Sequence, residues 1–252
     1  MKRNILFNIS FSGKNYHGWQ VQKNAISVQQ KFESALRKVV REDFNVKGCS
    51  RTDSGVHANM YCLSLKIDNT IPEDKLTFAV NNYLPNDIVV NECKEVPMDF
   101  HARYSCIGKE YIYKIWNSNI RNPFLDGYAF NYRYPIDIDV LKRSAQAYLG
   151  KHDFTSFCTK DDRKIGDMTR TVKYFDIIKD NDMIEFKVCA DGFLYNMVRI
   201  MIGTLLRIAQ GKFEPDCIPR IIKCKDRSEA GPTVAAHGLY LNKVYYETID
   251  FK

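Results

Sequence analysis

Apolar and polar residues alternate near the start of the chain, where every second residue from Ile5 to Phe11 is apolar. This two-residue period predicts a half-buried strand. From Ser27 to Arg41 the apolar residues recur at helical spacing, and Ser27 and Gln30 have the spacing of a capping box. A second helix is predicted from Pro72 to Leu84, followed by a turn and a strand from Ile88. The predicted order in this half is strand, helix, strand, helix, strand.

After a join near residues 97 to 106 the pattern of strands and helices starts again. Alternation at Tyr111, Tyr113 and Ile115 predicts a strand, and an amphipathic helix closed by Gly150 follows it. The later predicted elements are strands at Val172–Ile178 and Ile184–Val188, a long, mostly buried helix at Phe193–Gln210, and a last strand at Gly238–Tyr246. A polar loop at Lys160–Asp167 is expected to be mobile. These patterns predict an α+β fold of two similar lobes, residues 1–100 and 101–252, that together form one catalytic unit.

The composition favours a polyanionic partner. The chain has 252 residues, a formal net charge of +7 and a pI near 8.9. Lys and Arg side chains that neutralise phosphates release condensed counterions, so a basic surface suits nucleic acid. Charge alone identifies no partner, because many basic proteins never bind nucleic acid.

The cysteines and the apolar runs argue against a disulfide-rich, zinc-binding, membrane-spanning or secreted protein. The eight cysteines include no C-x-x-C pair and lie mostly in apolar patterns, so we interpret them as reduced core residues, without a disulfide or zinc framework. The longest apolar stretches are interrupted by charged residues such as Arg199 and Arg207, which argues against a membrane span. The start of the chain lacks the apolar core and cleavage site of a secretory signal. We therefore expect a cytoplasmic protein outside the membrane.

Residues 48–58 place Arg, Thr, Asp, Gly and His together between two strand-like segments. An arginine lowers the pKa of a nearby carboxylate, so Asp53 beside Arg51 would stay ionised when shielded from water, as a nucleophile or electrostatic stabiliser requires. Gly55 allows a tight turn or close approach of a ligand. Two other interpretations are an Asp/Arg pair that only caps a turn, and a hydrolase relay of Asp53 and His57. The relay lacks a G-x-S-x-G serine, and spacing alone does not exclude the turn cap.

The segment Arg51–Ala58 resembles the signature of the TruA family of tRNA pseudouridine synthases, in which the aspartate is the catalytic residue. The resemblance extends over nearly the whole chain, because further blocks occur in the family order. These blocks are Tyr16–Gln20, Phe100–Arg103, Glu110–Tyr113, His152–Phe157, Asn196–Arg199 and Gly238–Leu241. One block alone would be weak, but the ordered set identifies the chain as a member. One departure is Ser50, where many members have glycine.

The resemblance implies the pseudouridine synthase fold, an α+β fold of two similar lobes. Each lobe is a mixed, mainly antiparallel sheet flanked by helices, and the lobes are joined around a central catalytic cleft. The implied reaction breaks the N1 glycosidic bond of uridine and rejoins the uracil through C5, without a cofactor or a metal. Asp53 could attack the sugar or the base, or stabilise a detached intermediate, and the sequence does not separate these routes.

By the same resemblance, Asp53, Arg199 and Tyr111 are the catalytic residues. Arg199 lies in the strongly apolar segment 194–206, where an unpaired cation is costly, and Asp53 is its predicted partner. The alternative is that Arg199 snorkels to the surface. Tyr111 is expected to stack on the flipped uracil as a candidate base for the C5 proton, with Leu241 on the other side of the ring. From the pattern alone, both would be core residues.

The candidate RNA contacts are mostly cationic. Arg51 is assigned to the RNA backbone or the extruded nucleotide, because a base inside a stem must be unstacked before it can react. Candidates for phosphate contacts, each of which could equally be a solvated surface charge, are Arg103, Lys109, Lys160, Arg163, Lys164, Arg170 and Lys173. Lys14 and Gln20, which lie beside Tyr16 and Trp19 in the sequence, could also touch RNA. Residues interpreted as packing or hydrogen-bonded structural groups are Tyr16, Trp19, His101, His152 and His237.

The implied substrate is tRNA, modified at positions 38 to 40 of the anticodon stem and loop, and the implied working form is a homodimer. Modification of several neighbouring positions in different sequences requires recognition by shape and backbone. Two alternatives stay open: the same chemistry on ribosomal RNA, and a non-catalytic RNA-binding protein that keeps the fold. The presence of Arg51, Asp53, Tyr111 and Arg199 together argues against the second.

Overall fold

The computed structural model describes residues 2–159 and 166–251. These residues fall into two units, one running up to Ile107 and resuming at Tyr240, the other spanning Gly108–Leu239. The sequence pattern placed the boundary near residue 100 and all later residues in the second lobe. In the structure the last strand groups with the first unit, because it pairs with a strand there. Residues 160–165 of the predicted mobile loop, with Lys160, Arg163 and Lys164, lie outside the described residues.

The described residues of the first unit form one mixed sheet and two helices. Its strands are β1 (Arg3–Phe11), β2 (Lys47–Gly48), β3 (His57–Ile67) and β4 (Ile88–Val96), joined by the last strand of the chain, β10 (Leu239–Tyr246). Their order is β4-β1-β3-β10, with β2 also on β3. All these pairs are antiparallel except β3 with β10. The helices are α1 (Val28–Val40) and α2 (Glu73–Asn81).

The first strand is more buried than its alternation predicted. The predicted strand is confirmed as β1, but every residue from Asn4 to Ile9 is buried, so the prediction that this strand is only half-buried is wrong. Both faces of β1 are covered, and its polar residues need partners inside the protein. Asn4 meets this need by donating from Nδ2 to the carbonyl oxygens of Pro97, at 2.8 Å, and Phe100, at 3.0 Å.

The two helices of the first unit begin close to the positions that the sequence predicted. Ser27 precedes α1, and its Oγ accepts a hydrogen bond from the backbone N–H of Gln30 at 3.2 Å, which confirms the predicted N-cap. The second helix ends at Asn81, three residues before the predicted end at Leu84. Beyond it the backbone tightens, because Tyr83 N–H donates to the Val80 carbonyl at 3.0 Å and Leu84 N–H to the Asn81 carbonyl at 3.3 Å, three residues back instead of four.

The second unit also consists of a mixed sheet and helices. Its strands are β5 (Cys106–Trp116), which begins in the first unit, β6 (Phe130–Asn131), β7 (Gly150–Asp153), β8 (Thr169–Asp180) and β9 (Met183–Ala190). They follow the order β5-β9-β8-β7 with antiparallel pairs, and β6 lies parallel to β5. The α-helices are α3 (Ile138–Ala145), α4 (Met197–Ala209) and α5 (Cys217–Cys224). The 3-10 turns lie at Pro123–Leu125, Gln146–Tyr148, Thr155–Phe157, Arg227–Glu229 and Ala236–Gly238.

Both units therefore confirm the predicted α+β class with mixed, mainly antiparallel sheets, but α4 corrects one helix. The pattern predicted a helix from Phe193, whereas α4 begins at Met197. Asn196 has φ of 62°, a left-handed conformation that an α-helix cannot continue through. Arg199 consequently lies in the first turn of α4 and not in its middle. The short helix α5 was not predicted; it carries Pro219 in its first turn, where proline is tolerated.

The burial of the cysteines agrees with their interpretation as core residues. Six of the eight cysteines are buried, namely Cys49, Cys62, Cys93, Cys158, Cys189 and Cys217. Burial raises the pKa of the Cys62 thiol well above its usual value, so this group stays protonated. Over residues 2–159 and 166–251, no helix is both long enough and apolar enough to cross a membrane.

Candidate active site

Asp53 lies on a loop, residues 49–56, that leads directly into β3, and we call it the Asp53 loop. Its start is tied to the sheet, because Cys49 N–H donates to the carbonyl of Cys62 at 2.8 Å. Its middle turns at Gly55, whose φ is 79°, and Val56 N–H closes the turn on the Asp53 carbonyl at 3.2 Å. Asp53 itself is partly exposed, on a loop whose backbone these bonds fix.

The Tyr16–Gln20 block holds the Asp53 loop in place. Trp19 N–H donates to the Thr52 carbonyl at 3.3 Å, and Gly55 N–H donates to the Tyr16 carbonyl at 3.2 Å. The Trp19 ring is 2% exposed and stacks on Tyr61 with ring centroids 4.1 Å apart. These contacts confirm that Tyr16 and Trp19 are packing residues. They also show that the packed block supports the Asp53 loop.

The Tyr16 ring is anchored in turn by Asp87. Its hydroxyl donates to Asp87 Oδ1 at 2.5 Å, and burial followed by the negative charge of Asp87 raises the pKa of Tyr16. The phenol therefore remains a hydrogen-bond donor at physiological pH. This anchor was not foreseen, because residues 16 and 87 are far apart in the chain.

Two glycines allow the block to approach the Asp53 loop closely. Gly18 has φ of +82°, and a Cβ on it would lie 2.4 Å from the Thr52 carbonyl oxygen. A Cβ on Gly13 would lie 2.0 Å from the Val56 carbonyl oxygen. Both distances are far below van der Waals contact, so a side chain at either position would push the Asp53 loop away.

The start of β3 brings His57 and Leu241 next to the Asp53 loop. His57 is buried, its Nδ1 accepts from Gly13 N–H at 3.0 Å, and its ring stacks on Tyr240 with centroids 4.6 Å apart. An imidazole held by a backbone donor and a stacked ring fits a structural role better than the hydrolase relay. In the parallel pair of β3 with β10, Leu241 lies opposite Ala58 and is fully buried.

Arg51 and Arg103 are both exposed in the first unit. Arg103 follows His101, whose Nδ1 accepts from the backbone N–H of Arg103 at 3.0 Å and confirms the predicted structural role of this histidine. Burial lowers the pKa of His101, and the cations of Lys47 and Arg103 lower it further. Lys47 is thus a neighbour of this turn that the sequence interpretation missed, because its position on the short strand β2 has no signal in the pattern.

Tyr111 lies in the second unit on β5, opposite Val188 of β9. It is 7% exposed, and the edge of one ring meets the face of the other in its contact with Phe193, with centroids 5.0 Å apart. Two residues further on the same face of the strand, Tyr113 donates from its hydroxyl to the Ala235 carbonyl at 2.8 Å. Burial raises the pKa of Tyr113, and the positive charge of Arg199 opposes this shift, which places that guanidinium nearby.

Arg199 is half-buried, and its guanidinium is oriented by polar contacts within the second unit. Its Nε donates to the Val234 carbonyl at 2.8 Å, and its Nη1 donates to Asn196 Oδ1 at 2.8 Å. Asn196 in turn donates from Nδ2 to Thr159 Oγ1 at 2.9 Å. Such fixed contacts are inconsistent with a side chain that only snorkels to the surface. Asp53 belongs to the other unit, and its pairing with Arg199 stays a prediction.

The remaining candidates occupy ordinary positions in their units. His152 confirms its structural role through a hydrogen bond between Nε2 and the Leu149 carbonyl at 2.7 Å, and the His237 ring lies 6.3 Å from that of Phe130. Arg170 donates to the Asp167 carbonyl at 2.9 Å, and Lys173 is exposed. RNA contacts by these cations, and by Lys14, Gln20 and Lys109, stay predictions.

The first unit carries Asp53 on a loop fixed by backbone bonds, and the second unit carries Arg199 between fixed acceptors. Oriented charged groups of this kind, on an α+β fold with a basic composition, are typical of an enzyme that acts on an anionic substrate. A model of the family described as tRNA pseudouridine synthase matches residues 9–105 and 144–247. The chain is similar to the tRNA pseudouridine synthase A of Thermoanaerobacter sp. strain X514, at 43% identity over 97% of this chain and 100% of that protein. It is also similar to tRNA pseudouridine synthase A 2 of Clostridium tetani, at 40% identity over 98% of this chain and 100% of that protein.

These matches span nearly the full length of both proteins, with the model covering both units. The chain therefore belongs to the tRNA pseudouridine synthase family. It is an isomerase of the class that converts uridine to pseudouridine.

The close approach at Gly18 can be tested against a matched glycine. Gly211 also has positive φ, +64°, but a Cβ there would meet nothing within 4 Å. Gly211→Ala should cost about 1 to 2 kcal/mol of unfolding free energy, from the left-handed backbone alone. Gly18→Ala should cost at least about 1 kcal/mol more, because it adds a backbone clash, and should also lower activity. Urea denaturation and conversion of uridine in tRNA measure the two effects. Equal losses of stability in both variants, with activity retained, would contradict the close contact.

Proposed function

We propose that the chain isomerises uridine to pseudouridine at positions 38, 39 and 40 of the anticodon stem and loop of tRNA, with Asp53 as the catalytic carboxylate. Membership of the tRNA pseudouridine synthase family supports the reaction, and the relatives named tRNA pseudouridine synthase A support the substrate. The observation that carries the role of Asp53 is its mounting. The loop is fixed by backbone bonds to Tyr16 and Trp19, while the carboxylate side chain stays partly exposed.

A fixed carboxylate suits this reaction because the uracil must be detached and then reattached in a new orientation. Whether Asp53 attacks the sugar, attacks the base or stabilises a detached intermediate, it must be ionised and correctly aimed before the substrate arrives. Backbone mounting supplies part of this aim, because it fixes the position from which the side chain starts. The rotation of the base needs only that the pocket keep the uracil from escaping, so no cofactor enters the proposal.

Arg199 is proposed as the cation that keeps Asp53 ionised. A positive charge within a few ångströms favours the ionised form of a carboxylate, and its effect is strongest where water is excluded. The contacts of Arg199 to the Val234 carbonyl and to Asn196 support this role, since they hold the guanidinium in one orientation. A preoriented charge stabilises the carboxylate without further rearrangement during the reaction.

Tyr111 and Leu241 are proposed to contact opposite faces of the target uracil. The edge contact with Phe193 fixes the plane of the Tyr111 ring, which suits an aromatic that must stack on a base. Its hydroxyl is the candidate base for the C5 proton. Leu241 is a rigidly placed apolar side chain on β10, next to the strand that follows the Asp53 loop.

The RNA itself is proposed to bind through exposed cations. Arg51 lies two residues from Asp53 and is suited to hold the extruded nucleotide, and Arg103 and Lys47 are suited to phosphates of the backbone. Such contacts read shape and charge, which matches a substrate with three neighbouring targets in different sequences. The working form is proposed to be a homodimer in the cytoplasm, with one tRNA crossing both subunits.

Asp53→Asn tests the catalytic assignment. Tritium release from uridine labelled at C5 in tRNA transcripts should be almost completely lost, because an amide cannot supply the charge, whereas tRNA binding in a filter assay should be largely kept. A suitable control is Asp74→Asn, which changes an exposed carboxylate of the same unit in the first turn of α2 and should leave tritium release unaltered. Equal release from the wild type and Asp53→Asn would remove Asp53 from the chemistry.

Arg199→Met tests the proposed charge partner through the pH dependence of activity. Loss of the cation raises the pKa of the active carboxylate, so the ionised, active form is reached only at higher pH. The acid limb of the profile of kcat/KM against pH should therefore move to higher pH in the variant. Arg220→Met, which removes an exposed arginine of the same unit paired with Glu229, should leave the limb in place. An unmoved limb in Arg199→Met would exclude Arg199 as the partner of Asp53.

Mapping of pseudouridines in cells that lack the protein tests the substrate. We expect loss at tRNA positions 38 to 40, with restoration by the wild-type chain and not by Asp53→Asn. Ribosomal RNA from the same cells is the internal control, because it should be unchanged. Loss confined to ribosomal RNA would favour a synthase of the same chemistry that acts on that RNA.

A further inference from the structure

A short segment of the second unit, Ala230–Ala235, runs over α4 with almost no space between the two backbones, and we call it the strap. A Cβ on Gly203 of α4 would lie 1.8 Å from the Pro232 carbonyl oxygen. A Cβ on Gly231 of the strap would lie 2.5 Å from the Gly203 carbonyl carbon and 2.5 Å from Thr204 N. The two backbones are therefore in direct contact, and a small movement of the strap would change its contacts with α4.

Two side chains tie the strap down. Thr204 is fully buried, and its Oγ1 both accepts from Gly231 N–H at 2.9 Å and donates to the Ile200 carbonyl at 2.9 Å. Arg227 lies just before the strap, donates from Nη1 to the Gly231 carbonyl at 3.0 Å and donates from Nη2 to Thr233 Oγ1 at 3.2 Å. These bonds join the strap to the helix on one side and to its own preceding turn on the other.

The far end of the strap meets the residues of the site. The carbonyl of Val234 accepts from Arg199 Nε at 2.8 Å, and Val234 N–H returns to the Arg199 carbonyl at 3.4 Å. The next carbonyl, that of Ala235, accepts from the Tyr113 hydroxyl at 2.8 Å. A bond at Nε fixes the plane of a guanidinium, because Nε lies in that plane and at the end of the flexible stem.

We infer that Thr204 and Arg227 are positioning residues for the isomerisation, and that they act by holding the strap so that the Val234 carbonyl orients Arg199. This inference rests on the proposed role of Arg199 as the charge partner of Asp53. Neither residue touches the substrate. Their effect is transmitted through backbone groups of Gly231 and Val234, which explains why a polar threonine occupies a fully buried position of α4.

The sharpest test removes one hydroxyl without changing shape. Thr204→Val is nearly isosteric but cannot bond Gly231 N–H, whereas Thr204→Ser keeps the hydroxyl. We expect kcat of Thr204→Val to fall roughly tenfold to a hundredfold, as for a displaced catalytic group, with little change in KM for tRNA. The acid limb of its pH profile should move upwards, in the same direction as in Arg199→Met. Thr204→Ser should recover both the rate and the profile.

Arg227→Gln provides a second variant that acts on the other tie of the strap, and it keeps the test available if Thr204→Val folds poorly. It should lower kcat and shift the acid limb in the same direction. The matched control is Arg143→Gln, because Arg143 is an exposed arginine of the same unit in the last turn of α3, and the change should leave kcat unaltered. A fall in kcat with an unmoved acid limb in both Thr204→Val and Arg227→Gln would overturn the inference and leave only a structural role.

A measurement independent of catalysis separates this inference from the proposed function. The Nε proton of Arg199, assigned in NMR spectra by its loss in Arg199→Lys, should exchange with water faster in Thr204→Val than in Thr204→Ser or the wild type. Unchanged exchange would refute the positioning by the strap even in a fully active enzyme. If exchange is faster in Thr204→Val but the wild-type protein forms no pseudouridine, the positioning of Arg199 by the strap is supported and the proposed function is refuted.

Discussion

The Asp53 loop is held by its backbone, and much of the first unit is arranged to make this possible. Carbonyl and amide bonds to the Tyr16–Gln20 block fix the backbone that carries Asp53. These bonds require the two backbones to approach more closely than any side chain would allow, which explains Gly13 and Gly18. The stacked rings of Trp19 and Tyr61 then support the block from the core.

The second unit holds a charged side chain, that of Arg199, in one orientation. Arg199 must keep its charge at a fixed point, yet a long side chain has many rotamers and loses about 2 kcal/mol of entropy when it is ordered. The carbonyl of Val234 and the amide of Asn196 offset this cost by offering acceptors in fixed positions. The strap that carries the Val234 carbonyl is in turn packed directly against α4, because Gly203 has no side chain to separate the two backbones. In both units, close backbone packing is what makes a flexible polar group rigid.

The motifs that mark the family therefore combine two kinds of residue. Asp53, Arg199 and Tyr111 are proposed to meet the substrate, whereas Gly18, Trp19 and His57 hold the loop that carries the aspartate. The sequence resemblance does not distinguish the two kinds, because both occur in the same short blocks. The contacts identify the supporting residues, because Trp19 and His57 are buried and each is both hydrogen-bonded and stacked within the first unit.

The sequence by itself determined the class of fold, the main elements and the family. Periodicity identified α1 with its Ser27 cap, β1 and the strand of Tyr111. These signals are local, because the spacing of apolar residues within one segment is enough to indicate a helix or a strand. The tertiary structure decided the parallel pairing that sets Leu241 beside the start of β3, the start of α4 after Asn196, and the strap over Gly203. Each of these depends on contacts between residues distant in the chain, or on one backbone angle, and neither leaves a periodic signal in the sequence.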